Sequence, residues 1–134
     1  RVMKILYHIS YPEGIGDDRT IYDGYRYAFK DLGHNVTVFT ERDDLATVLS
    51  RVTPNLFMTS LNIVKPAKHA EVLRGYRRRG GVVLMKAGVI GQNDADLIRL
   101  IRDDFLADIY TTELEFPEFE KLTGKPLRML PLAA

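Results

Sequence analysis

Cysteine is absent from the 134 residues. Its absence removes disulfides, thiolate nucleophiles and cysteine-held zinc, and it leaves the compartment open, with the cytoplasm as the expectation. Neither sign of charge is in excess. The 19 Lys and Arg stand against 18 Asp and Glu, a net charge of +1, so no global field draws the chain to nucleic acid or an anionic membrane. No apolar run approaches the ~20 residues of a membrane span. The first residues lack the basic, apolar and small-residue succession of a secretory leader. There is no internal repeat and no low-complexity stretch. No pair of histidines has metal-ligand spacing with nearby carboxylates, so no metal site is expected.

The composition that remains, 46% hydrophobic and 28% charged, is that of an ordinary globular domain. A chain of this length forms one domain and buries roughly two-thirds of its unfolded surface.

Short apolar runs alternate with segments of helical periodicity. Met3–Ile9 reads as a first strand, followed by a loop, Ser10–Thr20, with Pro12, Gly14, Gly16 and the pair Asp17-Asp18. From Ile21, the apolar positions Tyr25, Ala28, Phe29 and Leu32 recur at helical spacing and Gly33 closes the helix. Asn35–Thr40 is a second strand. Asp43-Asp44 opens a helix with Leu45, Val48, Leu49 and Val52 on its inner face. Asn55–Leu61 is a third strand, and Lys68–Arg79 a helix ending at Gly80-Gly81. Val82–Met85 is a fourth strand, and Asp94 caps a helix bearing Leu97, Ile98, Ile101 and Phe105. Ala107–Thr112, a helix over Phe116–Leu122 and a sixth strand over Leu127–Leu130 complete the series. Strict β/α alternation with continuously apolar strands predicts an α/β fold: a Rossmann-like, doubly wound parallel sheet of about six strands with helices on both faces. The expected domain runs over residues 1–130, and residues 131–134 read as the start of an inter-domain linker.

Ligands of such sheets sit outside the carboxyl ends of the strands, near the switch in strand order. That nominates the first loop, where Gly14 and Gly16 admit an anion to backbone N–H groups and a helix start follows. Arg19 there is suited to a phosphate, and Asp17 or Asp18 to accepting protons from hydroxyls or acting as a general base. The competing account is a surface loop whose aspartates cap the helix. His8 ends the first strand and is a second candidate base, or a histidine hydrogen-bonded at a strand end. Lys86 and Gln92 after the fourth strand, and Glu113 after the fifth, stand at the same rim. His34 reads as structural in a tight turn and His69 as a solvated helix residue. Arg77-Arg78-Arg79 suits the negative end of a helix dipole. With Arg74 and Lys68 it alternatively forms a basic face for anionic lipid or a polyanionic acceptor. Gly14-Ile15-Gly16 with Arg19 in place of a third glycine is a damaged dinucleotide fingerprint, so NAD is a minor alternative. A phosphoacceptor receiver needs an aspartate ending strand three, where this chain has Thr59-Ser60-Leu61.

Tyr11-Pro-Glu-Gly-Ile-Gly16, followed by a helix and then Leu32-Gly33-His34-Asn35-Val36-Thr37-Val38-Phe39-Thr40, resembles the opening of GT-B glycosyltransferases. Arg79-Gly-Gly-Val-Val-Leu-Met85, Ala107-Asp-Ile-Tyr-Thr-Thr-Glu113 and Leu130-Pro-Leu-Ala-Ala134 resemble their CgeB-like and GT4-like members, which nearly covers the chain. The loop Lys86-Ala-Gly-Val-Ile-Gly91 departs from the tryptophan and acid common there. The resemblance implies the N-terminal, acceptor-binding half of an enzyme that moves a sugar from a nucleotide-sugar donor to a glycan, lipid or other hydroxyl acceptor. The donor would belong to a second domain, and the half alone would be inactive. It further implies that Gly14–Arg19 line the cleft, that the base comes from Asp17, Asp18 or His8, and that no cofactor takes part. From another class, the rival is a free-standing Rossmann-like binding module without catalysis.

Overall fold

A computed structural model describes residues 2–8, 29–40, 42–60, 66–87, 94–112 and 117–129. Asp17, Asp18, Gly14, Gly16, Arg19, Gln92 and Glu113 lie outside these described residues.

Strand β1 (Lys4–His8) is buried at four consecutive positions, Ile5 to His8. A strand on a half-solvated sheet alternates; one buried without a break is covered on both faces and flanked on both edges. Its neighbours are β2 (Asn35–Phe39) and β3 (Leu56–Ser60), both parallel to it. Beyond β3 come β4 (Val82–Lys86), β5 (Ile109–Thr112) and β6 (Leu127–Met129), again all parallel. The order is β2-β1-β3-β4-β5-β6, so the expected six-stranded parallel α/β sheet is present. It is the flavodoxin-type order with one strand added, whereas dinucleotide-binding domains run 3-2-1-4-5-6. Winding reverses between β1 and β3, so the crevice opens there.

Helices α2 (Leu45–Val52), α3 (Pro66–Arg78), α4 (Ala95–Arg102) and α5 (Glu118–Thr123) follow β2, β3, β4 and β5. Their apolar stripes meet Leu6, Phe39, Phe57, Val83, Met85 and Tyr110 in the main core. The opposite face carries a smaller cluster in which Tyr7 and Met58 pack with Phe29 and Leu84. Phe29 belongs to α1, described over residues 29–31, so helices cover both faces.

Local chemistry sets the element ends. The Asp44 carboxylate accepts from the Thr47 N–H at 3.0 Å and Oγ1 at 2.7 Å, capping α2. Asp94 precedes α4 without making that bond, contrary to the expected cap. Phe105 likewise lies past the end of α4, after Asp104 reverses the chain at φ 65°. The Gly80-Gly81 pair does two separate jobs. Gly80 takes φ 97°, which a side chain resists, while a Cβ on Gly81 would stand 2.2 Å from Cζ of Tyr76. The amino edge of the sheet is tied by side chains. Asn55 accepts from the Lys4 N–H at 2.9 Å and Asp108 from the Val83 N–H at 2.8 Å.

Candidate functional site

Burying a polar group is costly unless it is bonded, so buried polar residues are informative. Among the described residues these are His8, Thr40, Thr59, Ser60, Thr111, Thr112 and Thr123. Thr123 is explained locally, since its hydroxyl donates to the Phe119 carbonyl one turn back at 2.7 Å. The other six all stand at the carboxyl ends of β1, β2, β3 and β5. Among the described residues the amino edge has no such row.

At its centre is His8, fully buried, with Nδ1 2.7 Å from the Thr59 hydroxyl. This contact bridges β1 and β3 at the switch in winding. The imidazole meets the Phe39 ring edge-on at 4.7 Å and lies nearly parallel to Phe57 at 6.2 Å between ring centres. Burial, helped by the nearby charge of His69, pushes its pKa down from 6.5 to about 3. His8 is therefore neutral near pH 7: a hydrogen-bonding group of fixed orientation and a weak proton acceptor.

The pleat divides the rim in two. His8 and Thr59 lie on the α2–α5 side, among Phe39 and Phe57. On the α1 side, Lys86 of β4 is in register with Ser60 of β3 and Thr111 of β5. Both hydroxyl residues are buried and Lys86 is half-buried, so a lysine position is flanked in register by two hydroxyl residues at the carboxyl end of the sheet. No family model matches this chain, and no curated protein does.

Of the residues nominated from sequence, the structure thus brings His8 and Lys86 to one rim, on opposite faces. Thr59, Ser60, Thr111 and Thr112 went unnominated. Their signal was available: Leu56-Phe-Met-Thr-Ser60 and Ile109-Tyr-Thr-Thr112 are apolar strands that turn polar in their last two positions.

His34 is structural as expected, its Nδ1 accepting from the Met3 N–H at 3.1 Å. His69 is not a solvated helix residue; it is half-buried and lies close enough to His8 to act on its charge. Of the arginine run only Arg77 is shown committed, Arg78 and Arg79 being exposed. Arg77 binds Asp104 and Asp108 at 3.2 Å each, and Arg74 lies 4.5 Å above the Phe105 ring. Among the described residues no three His, Asp or Glu side chains converge as metal ligands, and no helix is long and apolar enough to cross a membrane.

Proposed function

We propose that this chain is the acceptor-side domain of a GT-B glycosyltransferase, acting with a second domain that holds the nucleotide sugar. The acceptor hydroxyl loses its proton to a base and attacks the anomeric carbon. The bond from that carbon to the diphosphate breaks, and the nucleoside diphosphate leaves. The resemblance assigns the base to Asp17 or Asp18; His8, neutral and bonded to Thr59, is a fixed part of the crevice floor. This reading assigns Gly14, Gly16 and Arg19 to the cleft and Lys86, Gln92 and Glu113 to its rim.

The observation that carries this reading is the collection of six buried polar side chains at the carboxyl edge of an all-parallel sheet. Supporting it, the Leu32-Gly33-His34-Asn35 turn of the resemblance adopts a left-handed glycine, φ 87°, and leads directly into β2. A catalytically silent binding module is the second reading, favoured by the strongly depressed pKa of His8.

The test is acceptor-dependent release of nucleoside diphosphate from a panel of nucleotide sugars, using the intact protein from its natural source. Release is expected, falling by about a hundredfold or more in whichever of Asp17→Asn or Asp18→Asn removes the base. Absence of release with every donor would leave the binding module as the better reading.

A further inference from the structure

A cleft of about 370 Å³ opens between the starts of α2 and α3, lined by Arg42, Asp43, Asp44, Lys68, His69 and Val72. That volume falls in the range of small-ligand sites. Phe39 lines it too, and the same ring packs on His8. The cleft therefore adjoins the switch point on the α2–α5 side, away from Lys86.

The charges decide what it suits. Among the described lining residues Arg42 and Lys68 balance Asp43 and Asp44, so these four side chains exert no net pull on a phosphate or on a metal cation. Both carboxylates are already positioned by the fold. Asp43 Oδ2 accepts from the Thr40 N–H at 3.2 Å, and Asp44 Oδ2 from Thr47. Their Oδ1 atoms receive no hydrogen bond from the described residues. Held carboxylate acceptors, an adjacent ammonium and guanidinium, and an apolar strip at Val72 are the complement of a neutral polyhydroxyl face. Vicinal hydroxyls donate to the carboxylates and accept from the cations, and ring C–H groups meet the apolar strip.

We propose that this cleft is a carbohydrate subsite that binds a neutral sugar through Asp43, Asp44, Arg42 and Lys68. Its place in catalysis, as the seat of the acceptor sugar, rests on the glycosyltransferase reading; its binding chemistry does not.

The probes are methyl glucoside, N-acetylglucosamine and maltose, with inorganic phosphate as the charged comparison. Each is titrated into the chain while backbone amide resonances are followed. At least one saccharide should shift residues 42–47 and 68–72 saturably at millimolar concentration, and phosphate should not. Asp43→Asn and Lys68→Met should each weaken the saccharide about tenfold with the remaining amide spectrum unchanged, because neither residue makes the hydrogen bonds of the α2 cap. Arg78→Ala, exposed at the far end of α3, should leave binding as it is. The proposal is overturned if no saccharide moves these residues, if phosphate moves them instead, or if both cleft variants bind like the parent chain. Saccharide binding here without nucleotide-sugar turnover by the intact protein would retain the cleft and remove the glycosyltransferase.

Discussion

His8 makes the clearest statement at the scale of one residue. Its folded pKa, about 3, lies below the 6.5 of a free imidazole. Between these values the unfolded chain takes up a proton that the folded chain refuses, so the contribution to stability is lost as pH falls from 6.5 toward 3. The slope is at most about 1.4 kcal/mol per pH unit. Denaturant unfolding across that window should show it, and His8→Phe should flatten it; an unchanged slope would mean that His8 titrates normally. Gly81 offers a steric counterpart. The Tyr76 ring cannot swing from an added Cβ without giving up the 2.9 Å bond from its hydroxyl to the Pro54 carbonyl. Gly81→Ala should therefore cost about 3 kcal/mol, against about 1 kcal/mol for Gly80→Ala, where the backbone angle is the only obstacle. The sequence marks both glycines as a helix stop, but only the packed ring reveals that the second is a matter of space.

Element ends carry the next set of consequences. Thr53 closes α2 in the left-handed conformation, φ 46°, with its N–H donating to the Leu49 carbonyl. A β-branched residue is disfavoured there, so Thr53→Gly should stabilise by about 1 kcal/mol in equilibrium unfolding. The arginine run at the end of α3 looks uniform in sequence and is not. Arg77→Ala should cost about 1–2 kcal/mol, because it releases two carboxylates from a side chain only 13% exposed. Arg78→Ala should cost less than about 0.5 kcal/mol. Asp108→Ala should cost more than Arg77→Ala, since Asp108 also holds the Val83 N–H. Helical period and caps made the described elements legible to within two residues at most boundaries. They missed the displacement of Phe105 because it depends on how the chain turns back at Asp104, beyond the end of α4.

For the whole molecule, layer type was legible and strand order was not. Continuous apolar runs such as Ile5-Leu-Tyr identify strands covered on two sides, but nothing local tells β3 to add beside β1 instead of beyond β2. That pairing places Thr59 against His8, so the centre of the candidate site was hidden for the same reason. Lys86 was legible because it ends an unmistakable strand, one residue longer than the sequence suggests; Ser60 and Thr111 emerge as its neighbours only through register. Amide hydrogen exchange tests the order directly. The β1 amides should exchange most slowly and those of β2 and β6, at the two edges, sooner; fast exchange in β1 would exclude a central position. The same order bears on how the protein is made. Of the described strands β1 is synthesised before both of the neighbours it needs, and the later of them ends at Ser60. Until Ser60 has been synthesised that apolar strand waits with an open edge, and a chaperone has something to hold in the interval.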